Sequence, residues 1–376
     1  MGKSPTLCIC ILMLVLFVPA AFAEHVSFQD SETPPAFLLD YLVTDESDIQ
    51  TVLTVTLAGD CTLGGTEAAN RKADGFVKTV LEKGLDYPFS GLEPLFSQDD
   101  VTFVNLEGVL SDSSKGENTD KNFAFRGPSS FAKLLPLGSI EAVNISNNHY
   151  QDYGNFGSKA TLKALEEYGV AYAGEEWLSI FSLDGGKIGL AGIRGSLSEE
   201  KKRTVVKQIA LLRQAGCQII IYALHAGQEY AQNHNRLQED MAHFLIDSGA
   251  DVVAGHHPHV VQGLEIYKDR LILYSLGNFV FGGNHDPKET GALVARVEFS
   301  LRDGMLKQIQ AALHPVLFTG DARRNVFKPI LLAGKQAEKV IKKVQLDTNF
   351  DLPDLVDGSG VILPPIILNE NSGGLK

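Results

Sequence analysis

"TVLTVTLAGDCTLGG", residues 51–65, is a run of apolar and β-branched residues that stops at an aspartate, Asp60, and then breaks into paired glycines. β-Branched residues at this density favour an extended strand, and Gly64-Gly65 marks the turn after it. The same order recurs along the chain. "VTFVNL" (101–106) runs into Glu107, "EAVNIS" (141–146) into Asn147, Asn148 and His149, "CQIIIYAL" (217–224) into His225, and "ADVVA" (250–254) into Gly255, His256, His257 and His259; "KIGLAGI" (187–193) is a further run. Helical periodicity fills about 157–168, 199–215 and 236–248 between them. Strands alternating with helices predict an α/β fold with a mostly parallel sheet.

From residue 263 the pattern changes. "GLEIYKDRLILYSLGNFVF" (263–281) and "GALVARVEFSLRDGMLKQIQAALHPVLF" (291–318) read as successive antiparallel strands, with Lys268-Asp269 and Asp303-Gly304 as hairpin turns. Beyond Val326 one amphipathic helix is expected near 334–343, followed by a Pro/Gly-rich stretch expected to be unstructured.

A chain of 376 residues, 44% hydrophobic and with 36 glycines, can bury a large core. Its 33 Lys and Arg against 46 Asp and Glu give a formal charge of −13. That field repels polyanions, and no basic run offsets it, so nucleic acid is excluded as a partner. An anionic ligand would need a local cation, which a bound metal would supply. At the N-terminus, Lys3, the apolar run Leu7 to Val18 and Ala21-Phe22-Ala23 read as a signal peptide over 1–23. The expectation is an exported protein, periplasmic or extracellular; the alternative is an uncleaved N-terminal anchor. Residues 24–50 read as a linker, 51–326 as the main domain and 327–376 as a C-terminal extension. Cys61 and Cys217 fall in apolar strands and are expected to be buried free thiols.

In a parallel sheet the carboxyl ends of the strands share one edge, so the polar residues that end these runs are expected to converge. The set is Asp60, Asn105, Glu107, Asn148, His149, Asp152, His225, Glu229, His256, His257 and His259. Imidazole nitrogen, carboxylate oxygen and amide oxygen without thiolate suit Zn, Mn or Fe rather than a Cys-rich structural zinc site. Pro258 allows His257 and His259 to face the same way, which a regular strand would forbid. Two carboxylates allow one to bridge a pair of ions that clamps an anion and turns water into hydroxide near neutral pH. Each residue also has a plainer use. Asp60 could close a turn, Asn147-Asn148 could form one, and His225 alone could be a satisfied core residue. Gly59, Gly227 and Gly255 suit close approach to a ligand, though turns need glycine too. His25, His234, His243, His285 and His314 read as surface or satisfied core residues.

Taken in order, "GDCTLGG", "NLEGVLSD", "SNNHYQDYGNFG", "HAGQEY" and "GHHPHVVQGLEIYKDRLILYSLGNFVF" resemble the bacterial capsule-synthesis CapA family, also called the poly-γ-glutamate synthesis protein family, of the calcineurin-like metallophosphoesterase superfamily. The resemblance runs from Leu53 to Val316. It implies a four-layer αββα sandwich. It also implies Asp60 as the carboxylate of a first metal, Glu107 as a bridging carboxylate, Asn148 and His225 as ligands of a second metal, and His149, beside Asn148, as the catalytic histidine that protonates a leaving group. His257 and His259 take the closing role, one imidazole to each metal. The superfamily's first motif is Asp-x-His, and Thr62 stands in place of that histidine; Glu229 or His256 are its candidate replacements. One or two divalent ions are therefore expected. The implied function is synthesis or export of an anionic capsule polymer, poly-γ-glutamate or similar, with membrane capsule-synthesis proteins as partners. The alternative is a metal-dependent phosphoesterase or other hydrolase acting on an envelope or small-molecule substrate, with His149 as general acid.

Overall fold

The computed structural model describes residues 23–27, 50–356 and 359–368. Two sheets stack face to face. In the first, the strands Gly186–Arg194, Ile219–His225, Val252–His256 and Arg270–Leu273 lie side by side and parallel. In the second, Gln50–Thr62, Val101–Leu106, Ala142–Asn144 and Ala171–Ala173 do the same. Strands covered on both faces need no polar alternation, which is why Ile219–His225 and Val101–Leu106 are buried at every position.

Three interlayer cores make the four layers. Leu53, Val55, Leu57 and Phe103 of one sheet meet Ile188, Leu190, Ile219 and Ile221 of the other at the centre. Outside the first sheet, Val205, Ile209 and Leu212 of the helix Glu199–Gln214 and Met241 and Leu245 of the helix Arg236–Asp247 cover it. Ser198 caps the first of these helices, and a reciprocal Asn235–Gln238 capping box starts the second. Outside the second sheet lie Phe76 and Val80 of the helix Phe76–Lys83 and Ala164 and Leu165 of the helix Gly154–Glu167. The αββα sandwich expected from the resemblance is the observed architecture.

The C-terminal half adds antiparallel strands. Gly291–Arg302 pairs with both Gln50–Thr62 and Met305–Leu317. Both hairpin turns form where expected, with Lys268, Asp269, Asp303 and Gly304 all at positive φ (49°, 58°, 53° and 66°), as two-residue turns of this hand require. Two expectations need correction. The stretch after the helix Gly334–Leu346 is not unstructured throughout: Val361–Ile362 and Ile366–Ile367 pair with Met305–Leu317, and Val361 and Leu363 are buried. Within the segment read as signal and linker, Ala23–Ser27 pairs antiparallel with Trp177–Leu183, a strand that the alternation did not reveal. Residues 1–22 and 28–49, which hold the rest of the signal and linker readings, lie outside the described residues. Among the described residues no helix is long and apolar enough to cross a membrane. Cys61 and Cys217 are buried and free.

Candidate metal centre

Strand register brings the site residues together. Asp60 pairs across with Asn105, Asn105 with Asn144, and Asp60 with Asn278, while in the other sheet His225 pairs with His256. Asp60, Asn105, Asn144, His225 and His256 lie at or near the carboxyl ends of parallel strands, and Asn278 opens the short strand Asn278–Phe281 beside Asp60, so the polar cluster lies where the carboxyl edges of the two sheets meet. Glu107 follows the end of its strand, and its backbone N–H is held by the Cys61 carbonyl. His257 and His259 sit at φ 97° and 58° on either side of Pro258. This left-handed backbone is costly for a side-chain-bearing residue and occurs where a site demands it.

Glu107 is the centre of the arrangement. Its side chain is fully buried, and its Oε1 has no hydrogen-bond partner. Three imidazole nitrogens surround that oxygen: His149 Nε2 at 3.8 Å, His225 Nε2 at 3.9 Å and His259 Nε2 at 3.8 Å. These separations are too long for hydrogen bonds. Ligand bonds of about 2.0–2.2 Å place two ligands of one ion roughly 3–4.4 Å apart, so the gaps suit a shared cation. Two sets of three donor atoms lie within 4.8 Å of one another: Glu107, His257 and His259; and Asp60, Glu107 and His225. Glu107 belongs to both, the position of a bridging ligand. His257 and His259 fall together in one set, whereas the resemblance puts one on each ion.

Hydrogen bonds fix which nitrogen faces inward. His259 Nδ1 lies 3.0 Å from Asn278 Oδ1 and 3.0 Å from Asp60 Oδ2, both acceptors, so Nδ1 carries a proton and Nε2 faces Glu107. His149 Nδ1 donates to Asp152 Oδ2 at 2.6 Å, which likewise leaves its Nε2 toward Glu107. Asp152 is fully buried and also accepts from the Phe125 N–H at 2.7 Å and from the Lys121 ammonium. His225 Nε2 and Asn148 Oδ1, the expected pair of second-metal ligands, touch at 2.8 Å. Asn105 is the hub beneath them. Its Nδ2 donates to Asp60 Oδ1 at 2.8 Å and lies 3.3 Å from His225 Nδ1, while its Oδ1 accepts from Asn144 and Asn147.

The charge states follow from burial and from the charged groups packed against one another. Burial, then the neighbouring Asp60 charge, pushes the Glu107 carboxyl well above its usual range. Burial also acts to raise Asp60, but its contacts with His256 and His259 outweigh this and hold it well below. For His259, burial opposes the charged form, yet Glu107 and Asp60 raise it to about 10. Burial lowers His149, His225 and His257, the last two toward the neutral form that ligates metals.

The remaining expected residues fall into place as follows. His256 is buried with Nδ1 3.5 Å from Asp60 Oδ1, beside the first position. Glu229 is exposed at the mouth and belongs to neither donor set. Thr62 spends its hydroxyl on the Glu107 backbone carbonyl at 2.8 Å. Gly59 and Gly255 serve the fold rather than a ligand, since a Cβ there would come within 1.9 Å of the Gly277 carbonyl and 2.0 Å of the Tyr274 carbonyl. Sequence reading missed Lys121, which lies in a polar loop without periodicity, and Asn144, which is hidden inside a strand. Asn278 also contacts the His259 ring. His234, His243 and His285 pair with Asp347, Glu265 and Asp74, whereas half-buried His314 leaves its Nε2 without a partner among the described residues.

Residues 54–283, more than half of the chain, match the family described as bacterial capsule synthesis protein PGA_cap, which is metallophosphoesterase-like. The chain is 29% identical over 277 residues to the capsule biosynthesis protein CapA of Bacillus anthracis, covering 67% of this chain and 64% of that protein. It is 27% identical over 320 residues to the PGA biosynthesis protein CapA of Bacillus subtilis, covering 80% and 79%. A probable polyglutamine synthesis accessory protein of Mycobacterium tuberculosis is 25% identical over 213 residues, covering 48% and 55%.

Proposed function

We propose, because the chain belongs to the bacterial capsule synthesis protein family PGA_cap, that its buried cluster is a divalent-metal centre serving the synthesis or export of an anionic capsule polymer of the poly-γ-glutamate kind. The observation that carries the reading is Glu107 Oε1, fully buried, without a partner and ringed by three imidazole nitrogens. A protein leaves a buried carboxyl oxygen in that condition at a cost of about 1–3 kcal/mol, which an ion would recover. Asp60, Glu107, His225, His257 and His259 would hold it, with Asn148 beside them. When bound, a Mn, Zn or Fe ion supplies a positive charge that draws an anionic group and polarises its bonds. With Thr62 committed to the backbone, the first position lacks the superfamily's histidine, and His256 is the nearest substitute. We place the protein outside the cytoplasm, in line with the N-terminal signal pattern, and acting beside membrane capsule-synthesis proteins.

A second reading, hydrolysis, is favoured by one observation. Asp152 holds the Nδ1 proton of His149 and leaves Nε2 facing the centre, where it can hold or deliver a proton to a leaving group. Lys121 and the Phe125 N–H fix Asp152 in turn.

The test is metal analysis of the purified protein beside an aryl phosphate assay with Mn²⁺ or Zn²⁺. Retained metal in the parent and its loss in Glu107→Gln supports the centre; no metal in either overturns it. Turnover abolished in His149→Ala with metal retained assigns hydrolysis, and metal without turnover assigns polymer handling.

A further inference from the structure

We infer that the C-terminal extension is part of the metal centre: Asp347, at the end of the helix Gly334–Leu346, is a positioning residue that locks together the loop after His225 and the loop bearing His257 and His259. This rests on the reading of the buried cluster as a metal centre and adds what keeps its loops in place. The loop 226–235 joins Ile219–His225 to the helix Arg236–Asp247, and the loop 257–263 joins Val252–His256 to Leu264–Tyr267. Hydrogen bonds lace the two together from the metal end outward. The Ala226 N–H donates to the His256 carbonyl at 3.2 Å, the Tyr230 N–H to the Pro258 carbonyl at 2.8 Å, and Gln262 Nε2 to the Ala231 carbonyl at 3.0 Å. The last tie comes from neither loop. Asp347 Oδ2 accepts from the His234 N–H at 2.9 Å and from the Gly263 N–H at 2.8 Å, so one carboxylate oxygen bridges both loops. His234 Nδ1 lies 3.0 Å from each oxygen of the same carboxylate, and Thr348 Oγ1 accepts from the Leu264 N–H at 3.1 Å.

The laced loops need such a lock. Tyr230, His257 and His259 have φ of 62°, 97° and 58°, and side-chain-bearing residues keep that backbone only where their surroundings over-determine it. Metal ligands must also be held to within about 0.5 Å of their working positions. Asp347 is the strongest of the ties, because hydrogen bonds to a carboxylate are roughly twice as strong as those between neutral groups. Its side chain is only 4% exposed, so water cannot take its place. The packing is equally close. A Cβ on Gly263 would lie 1.9 Å from the Asp347 carbonyl oxygen, so glycine at that position lets the extension close on the loop. On the other side the His234 ring stacks on Tyr274 with centroids 3.7 Å apart and planes 3° from parallel, which fixes the donor. Asp347 lies beyond the family's stretch at 54–283, so the centre is completed by a part of the chain that carries none of its ligands.

The experiment is calorimetric titration of the full chain with Mn²⁺ or Zn²⁺, beside amide hydrogen exchange of the metal-free protein. Asp347→Ala should weaken metal binding about tenfold, and Asp347→Asn, which keeps an acceptor oxygen, should weaken it by less. Asp251→Asn removes a buried carboxylate at the opposite ends of the strands and controls for lost stability; its metal affinity should equal the parent's. In Asp347→Ala the amides of 226–234 and 257–263 should exchange faster than in the parent, while those of Gly186–Arg194 keep their rate. Parental metal affinity in folded Asp347→Ala overturns the inference alone and leaves the metal reading intact, and so does an equal loss of affinity in Asp251→Asn. Where Asp347→Ala does not fold, Asp347→Asn is read in its place, weakened binding supporting the lock and parental binding overturning it. If the parent takes up no metal, the metal reading falls and exchange decides the lock: faster exchange in both loops sustains it, and an unchanged rate in either overturns it.

Discussion

The two ends of the paired sheets treat buried carboxylates in opposite ways. At the amino ends of the strands, Asp251 is 1% exposed and fully provided for: Arg213 donates to one oxygen at 2.8 Å, Arg270 to the other at 2.9 Å, and the Ile220 N–H adds a third bond at 2.8 Å. At the carboxyl ends, Asp60 and Glu107 are as deeply buried, yet the basic groups around them are imidazoles, and one Glu107 oxygen has no partner. Arginine is a permanent cation of fixed geometry, suited to locking strands together. Imidazole is neutral on demand and offers a lone pair, suited to an ion that comes and goes. The same fold thus separates an end whose buried carboxylate is fully paired from an end where one buried carboxyl oxygen is not.

The contrast can be broken by removing one charge at each end. Glu107→Gln should lower metal affinity by about a hundredfold or more, read by isothermal titration with Mn²⁺ or Zn²⁺. In metal-free protein the same change should alter unfolding free energy by less than about 1 kcal/mol, because burial and Asp60 already hold Glu107 toward its neutral form. Asp251→Asn should do the reverse. It strands two arginines, one of them largely buried, and should cost about 3 kcal/mol in denaturant unfolding while leaving metal affinity unchanged. Equal effects of the two variants on stability would remove the distinction.

A smaller effect sharpens the comparison at the amino end. Burial raises the Glu141 carboxyl to about 7, against a hydrogen bond from the Thr102 N–H that favours the charged form. Its pKa in the fold therefore lies above its unfolded value. The stability it contributes is complete below the ordinary carboxylate range and is lost as pH rises through about 7. Glu141→Gln keeps the acceptor for Thr102 and should gain about 1–3 kcal/mol near pH 8 and almost nothing near pH 4. Thermal melts across that range would show it, and a gain independent of pH would refute the assignment.

Much of this was legible because it is written locally. The apolar runs before Asp60, Glu107, His225 and His256 each became a parallel strand, and the turn pairs Lys268-Asp269 and Asp303-Gly304 carry their own conformational preference. Convergence of the polar residues followed from strand direction alone. What stayed hidden depends on partners far along the chain. Lys121 acquires its role from Asn148 and Asp152, 27 and 31 positions later, and Asn144 reaches the cluster through Asn105, 39 positions earlier. The short strands Val361–Ile362 and Ile366–Ile367 have too few residues to show a period, and they exist because Met305–Leu317 offers an edge. Glycine was read ambiguously, since its use for close packing at Gly59 and Gly255 looks the same in sequence as its use beside a ligand.

The most direct test of the central claim is a crystal structure of the Mn²⁺- or Zn²⁺-treated protein with anomalous scattering recorded for that metal. The account predicts a peak about 2.0–2.2 Å from Glu107 Oε1, flanked by imidazole nitrogens of the histidines named here. Well-ordered density with no peak, and with Glu107 Oε1 bonded instead to a protein donor, would contradict it.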